Sequence, residues 1–284
     1  VRLTATTTAV KTSFNNNIMK NILLAMLAIA LLNSCTKVID INLNEADSKI
    51  VIEAELVSGT QDFMVKITKT SDFFNPGQPV TIVDAAVFLK KGTDNEPLNL
   101  TNDGNGIYIL KNFTATENTS YFLSVTAEGK TYEATDFLPK NVPLDSLTVG
   151  VPENNPFNPS GADSFEIVVN YQDPQDDLNF YRIKSTVNGI PRSEGVKLLV
   201  IEDRYSAGAY FTLPIFTDSY ELNDSVEVEL VSMSRAMFDY FTTLALLVDG
   251  SGGAAPTNPS SNWSGDALGY FGAFSVSKQT ILVR

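Results

Sequence analysis

The side chains of this chain that could do chemistry are nearly all carboxylates. The stretch "YQDPQDDLNFY", residues 171–181, sets Asp173, Asp176 and Asp177 within one short turn. Three carboxylates so close could surround calcium, a hard cation that takes oxygen ligands. Asp-Pro followed by acids between two apolar runs is also the composition of a solvated hairpin, and that is the favoured reading. A second oxygen-rich turn, Thr101-Asn102-Asp103-Gly104-Asn105-Gly106-Ile107-Tyr108, offers Asn102, Asp103 and Asn105. It lacks the bidentate glutamate of a calcium loop. Its Asp-Gly and Asn-Gly steps supply the positive φ that a tight hairpin needs, so a hairpin is expected here too.

What is missing excludes more. The chain has no histidine and a single cysteine, Cys35. That removes Ser-His-Asp and Cys-His catalysis and histidine-based zinc or iron sites, and leaves an oxygen-only metal site as the one metal chemistry open. Two carboxylates could work as a glycosidase pair without histidine. Nothing in the sequence singles out a pair among 33 acids. The glycine-rich "DGSGGAAP" (249–256) has no Lys-Ser/Thr and does not follow a strand of an α/β unit, so it is no phosphate loop. No catalytic residue and no cofactor is assigned. For recognition the candidates are Trp263, in "NPSSNWSGD", and Tyr270 close behind it. A loop tryptophan either packs back as an anchor or stands out as an interface hot spot, and the sequence leaves both open.

Cys35 ends an apolar run, Ile22 to Leu32, that begins after Lys20. Eleven residues are too few to span a bilayer, which takes about 20 in a helix. A short apolar run behind a positive charge is the form of a secretory signal. The sequence Leu32-Asn33-Ser34-Cys35 resembles a bacterial lipobox, whose cysteine becomes the lipidated first residue of the mature chain. The expected organisation is an upstream extension (1–18), a lipoprotein signal peptide from Met19 (19–34) and a lipidated tether (35–48). Removing residues 1–34 takes Arg2, Lys11 and Lys20 and no acid, leaving 17 basic against 33 acidic residues, a net charge of −16. Such a domain is repelled by polyanions, so nucleic acid is not an expected partner; the expected one is a lipid bilayer, reached through the acyl anchor.

The rest of the chain must hold these residues in place, and it reads as mainly β. "KIVIEAEL" puts Ile50, Ile52, Ala54 and Leu56 on one face, and "FMVKIT" does the same for Phe63, Val65 and Ile67. Short alternating runs separated by Gly, Asn, Asp and Pro continue to about residue 138, the pattern of an antiparallel β-sandwich. "LPKNVPLDS" (138–146) is the expected boundary. The organisation predicted is two antiparallel β-sandwich domains: an Ig-like or transthyretin-like one over 49–138 and a larger β-rich one over 139–284. In the second, "VEVEL" alternates Glu227 and Glu229 with Val226, Val228 and Leu230. One helix is expected over "SRAMFDYFTTLALLV" (234–248), with Ser234 as N-cap and an apolar face of Met237, Tyr240, Phe241, Leu244, Leu247 and Val248. Two strands are expected to close the chain.

Three stretches carry a resemblance that spans the mature chain: "CTKVIDINL" running into "KIVIEAEL", the series "PLDSLTV … YQDPQDDLNFYRIKSTVNG", and the closing "NPSSNWSGDALGYFGAFSVS". In these the chain resembles a family of Bacteroidota outer-membrane lipoproteins known as domain of unknown function 4249. The resemblance implies a β-rich, lipid-anchored outer-membrane protein, often encoded beside a TonB-dependent transporter, with no established catalytic residues. Asp145-Ser146-Leu147 and Asp224-Ser225-Val226 fit the short pattern on which secreted proteins of such bacteria are O-glycosylated, at Ser146 and Ser225. The expectation is a non-enzymatic accessory or substrate-binding partner of a TonB-dependent outer-membrane transporter. The alternative is a freestanding glycan- or surface-binding module, with a carboxylate-based hydrolase behind it. Thr36 and Lys37, rather than acids, follow Cys35, which leaves open whether the periplasmic or the cell-surface face carries the protein.

Overall fold

The computed structural model describes residues 48–71, 79–93, 96–150, 165–175, 178–192, 198–216, 218–249 and 258–284. Cys35 and its tether lie outside these residues, as do Asp176 and Asp177.

The fold is mainly β. The largest sheet has ten strands. Its path runs β13 (Ile190–Pro191), β12 (Phe180–Val187), β16 (Ser225–Met233), β17 (Leu268–Leu282), β1 (Ile50–Val57), β2 (Gly59–Lys69), β7 (Ile107–Ala115) and β6 (Thr101–Gly104). Two short strands sit off this path: β14 (Leu199–Glu202) pairs with β12, and β3 (Val80–Thr81) with β2. A four-stranded sheet has the order β5 (Leu98–Asn99), β4 (Ala86–Lys91), β8 (Thr119–Ala127), β9 (Lys130–Leu138). A three-stranded sheet has the order β10 (Ser146–Gly150), β11 (Glu166–Gln172), β15 (Tyr210–Pro214). Among the described residues every pairing within these sheets is antiparallel except one: β1 runs parallel to β17.

Alternation does the sorting. In β1 the residues Ile50, Ile52, Ala54 and Leu56 are buried while Glu53 and Glu55 face outward. In β16, Val226, Val228 and Leu230 are buried and Glu227 and Glu229 lie between them, half-exposed. Each Val, Ile, Leu or Phe so buried contributes about 1.5–3 kcal/mol. The first core lies between β1, β2 and β7 on one side and the four-stranded sheet on the other, with Ile52, Phe63 and Val65 meeting Leu89, Leu123 and Val125. A second core joins β12 and β16 to the three-stranded sheet through Ile183, Val228, Leu230, Ile167 and Val169.

Two sandwiches are therefore present, but the boundary expected after residue 138 does not separate independent domains. Residues 47–284 form one compact unit, and the ten-stranded sheet runs through both sandwiches. The reason is β17. The two closing strands expected from the sequence are one strand of 15 residues, about 50 Å long at the usual rise per residue. Its first half (268–274) pairs with β1 and gives Phe271 and Ala273 to the first core. Its second half (275–282) pairs with β16, and Val283 enters the second core.

The helix, α1 (Arg235–Asp249), begins where expected. The Ser234 hydroxyl oxygen accepts the Met237 N–H at 3.2 Å, the bond of an N-cap. Met237, Tyr240 and Phe241 are buried against Phe180, Met233 and Phe274 on the outer side of the large sheet. Val248, expected on the same face, is 43 % exposed, because the last turn of α1 runs past the edge of that apolar patch. No helix among the described residues is long and apolar enough to cross a membrane.

Candidate functional site

Tyr270 lies in β17 opposite Glu53 of β1, on the outward face of the large sheet, where α1 folds over it. Together with β12 and β16 these elements line a cleft of about 580 Å³. Its aromatic wall is a cluster in which the rings of Tyr240 and Tyr270 lie 4.6 Å apart and those of Phe241 and Tyr270 5.4 Å apart. The polar wall is charged. Tyr270 donates its hydroxyl to Glu55 Oε1 at 2.6 Å, and Lys184 Nζ sits 3.9 Å from Glu55 Oε2. The Arg182 guanidinium stands 4.4 Å over the ring of Phe241, a cation–π contact.

The electrostatics follow from this packing. Burial, and then the neighbouring Glu55 carboxylate, push the Tyr270 phenol far above its ordinary range. Burial and Glu53 push Tyr240 up to about 12. Both phenols therefore stay protonated and serve as hydrogen-bond donors and apolar ring faces rather than as bases. The charged stripe continues into an adjoining hollow of about 420 Å³ through Glu55, Lys184 and Glu229, and ends at Lys278. Lys278 Nζ lies 3.7 Å from Glu229 Oε1. A ring face beside paired carboxylates and ammonium groups suits a polar ligand with an apolar side.

Asp173 went elsewhere. It is 2 % exposed and accepts the Tyr181 hydroxyl at 2.5 Å and the Gly208 N–H at 2.9 Å. Its carboxyl is also hydrogen-bonded to that of Asp203, which is fully buried. Burial leads in raising the Asp173 pKa, and the Asp203 charge adds to it. Asp203 in turn accepts the Asn179 backbone N–H at 2.9 Å and its side-chain amide at 3.2 Å.

A family model for a domain of unknown function, DUF4249, matches residues 36–280 of the chain. The chain belongs to this family. No curated protein matches its sequence.

The remaining candidates of this DUF4249 chain fall into place one by one. Of the two roles the sequence left open for Trp263, anchor or exposed hot spot, the structure has the anchor: it is 6 % exposed and its indole N–H donates to the Ile52 carbonyl at 3.1 Å. A ring so enclosed has no face left for a ligand. The turn with Asn102, Asp103 and Asn105 is the hairpin between β6 and β7; Asn102 Oδ1 accepts the Gly104 N–H at 2.7 Å, and Gly104, Asn105 and Gly106 all have positive φ. Ser225 is exposed at the start of β16, and Ser146 is half-buried at the start of β10. No group of three or more carboxylates or other metal-binding side chains gathers among the described residues.

Sequence reading missed Asp203, Glu55 and the partnership of Tyr240 with Tyr270. Asp203 follows Asp173 by 30 positions and reaches it only because β14 pairs with β12, in the register Phe180↔Glu202. Glu55 looked like any outward acid on a strand. Only the parallel pairing of β1 with β17 brings it to Tyr270.

Proposed function

We propose that this protein is a lipid-anchored, non-enzymatic binding module of the Bacteroidota outer membrane that works as an accessory to a TonB-dependent transporter. The observation that carries the reading is the cleft beneath α1, where Tyr240, Phe241 and Tyr270 face Glu55, Arg182 and Lys184. It offers ring faces and hydrogen-bonding charges to a polar ligand. The absence of histidine from the whole sequence supports a binding role over hydrolytic chemistry. The lipobox at Cys35, 15 residues before β1, supplies the tether. The test is isolation of the tagged full chain from gently solubilised outer membranes. A transporter in near-equal amount is the expected result, and recovery free of any barrel protein overturns the partnership. Labelled palmitate should be incorporated by the wild-type chain and not by Cys35→Ala.

The hydrogen bond from Tyr270 to Glu55 favours a second reading, a freestanding saccharide-binding module. In sugar recognition a ring face stacks on the pyranose while an adjacent carboxylate accepts its hydroxyls. A saccharide bound by the isolated chain and weakened about tenfold or more by Tyr270→Ala supports this reading if no transporter co-purifies.

A further inference from the structure

We propose that the cavity where the two sandwiches meet is a second binding site, for a small organic anion with an apolar body. The cavity holds about 830 Å³ and shares no lining residue with the cleft beneath α1. That is within the range of small-ligand pockets, about 300–1,000 Å³. Its walls are the end of β9, the connecting segment 139–143, the ends of β11 and β16, and the starts of β12 and α1.

Unpaired polar atoms point to a ligand. Ser232, 3 % exposed, lines the cavity, and its hydroxyl has no hydrogen-bond partner among the described residues. The same holds for the buried Oδ1 of Asn141, a second lining residue. Ser275, directly opposite Ser232 in the β16–β17 ladder, is fully buried with its hydroxyl unpaired as well. Polar groups left so are costly, and a native fold leaves few of them. A serine hydroxyl can donate to an anion, and a carboxamide can turn either end to a ligand.

Charge sets the sign of that ligand. Ser234 and Arg235 line the cavity and open α1, whose first turn carries no acid, so the positive end of the helix dipole lies at the wall. Arg235 is already paired, with Asp239 at 3.0 Å and Glu202 at 3.7 Å. Lys140, exposed on the connecting segment, pairs with no acid among the described residues. No aspartate or glutamate is among the described lining residues. Asp136 lies outside the lining, 4 % exposed, with Oδ2 committed to the Ala273 N–H. In a chain of 33 acids and 20 bases, an acid-free wall with a spare ammonium group selects an anion.

The apolar body has its own surface. Phe137 and Leu178 line the cavity at 44 % and 46 % exposure, large side chains that a ligand would take out of water. The connecting segment is also preformed. Pro139 and Pro143 fix its φ, and Val142 and Leu144 are buried in the second core. Leu144 N–H donates to Ser277 Oγ at 2.8 Å, and its carbonyl accepts Gln279 Nε2 at 2.6 Å. Binding there requires little ordering of the chain.

The probe is 2-naphthoate, titrated by calorimetry into the full chain in detergent against a matched detergent blank. One molecule should bind per chain, about tenfold or more tighter than the neutral 2-naphthamide, and less tightly as salt rises. Lys140→Glu, at an exposed position, should weaken naphthoate about tenfold or more and leave the amide unchanged. Leu178→Ser should weaken both probes several-fold. Ser232→Ala removes an unpaired buried hydroxyl, so it should keep or raise Tm while weakening naphthoate several-fold. The inference is overturned if naphthoate does not bind at millimolar concentration, or if the two probes bind alike. It is equally overturned if Lys140→Glu and Ser232→Ala both bind naphthoate as wild type does, which would place the anion elsewhere on the chain.

Discussion

Asp136 Oδ2 accepts the backbone N–H of Ala273 at 2.7 Å, across 137 positions of sequence. The bond falls where β17 has β1 on one side and, among the described residues, no strand on the other, since β16 begins to pair only at Ser275. Two residues earlier the same edge is met by a second side chain. The Asn262 amide donates to Phe271 O at 2.8 Å and accepts Phe271 N–H at 3.0 Å. Buried backbone groups without partners are costly, so two polar side chains stand in for the missing strand. They allow one strand to leave the first sandwich and enter the second without exposing its ladder.

The Asp136 carboxyl should therefore govern some of the stability's pH dependence. Burial raises its pKa to about 6 from 3.8, against hydrogen bonds from Ser234, Ala273 and Phe137 that lower it. The folded state thus holds the proton to higher pH than the unfolded state. Its contribution is fully present below about pH 4, falls as pH rises to about 6, and is flat beyond. The fall is about 3 kcal/mol by linkage. Urea unfolding of wild type and Asp136→Asn from pH 4 to 7 should show curves that converge or diverge by this amount. Parallel curves would count against it.

Gly269 should tolerate no side chain. It has φ +87 within β17, and a Cβ there would overlap the Ile52 carbonyl oxygen. Gly269→Ala should cost about 3 kcal/mol or more, from strain and steric overlap together. Gly129→Ala, at φ +76 with open space around it, isolates the strain and should cost about 1–2 kcal/mol. Equal losses in the two variants would show that the approach of β17 to β1 is looser than described.

Local pattern was enough for the strands, the cap and the hairpins. Ile50 to Leu56 and Val226 to Leu230 alternate as they read, and Ser234 caps α1. What could not be read was which distant elements meet. Nothing near residue 273 announces that its N–H will be satisfied from residue 136, or that residue 55 will face residue 270. The same blindness hid Asp203 from Asp173. Trp263 shows the converse: polar, small neighbours made it look like a loop tip, yet the chain turns there to place the indole under β1. Glycine often marks a break or bulge in a strand, yet Gly269 and Gly272 both lie inside the single strand β17 where two closing strands were expected. Here the glycines permit close packing instead, Gly269 against Ile52 and Gly272 against Phe274.

Trp263→Phe should destabilise the fold without acting on ligand. It leaves the buried Ile52 carbonyl without its donor, at a cost of about 1–3 kcal/mol. Because this is the chain's one tryptophan, its fluorescence reads the fold directly. Native emission should be blue-shifted and poorly quenched by acrylamide, and both should change in a single step on unfolding. Ready quenching in the native state would place the ring outside the core.

Ser234 should couple α1 to the strand junction. Its hydroxyl accepts the Met237 N–H as N-cap and also bonds the Asp136 carboxyl, which holds Ala273. Ser234→Ala should cost about 1 kcal/mol for the lost cap. It also removes one of the bonds that hold the Asp136 pKa down, so the pH window in which stability falls should extend above pH 6. In a double-mutant cycle with Asp136→Asn the two changes should interact by about 0.5–1 kcal/mol or more, beyond the additivity of separate sites. Additive losses and an unmoved pH midpoint would mean that helix cap and strand junction are independent, and that Asp136 is held by Ala273 and Phe137 alone.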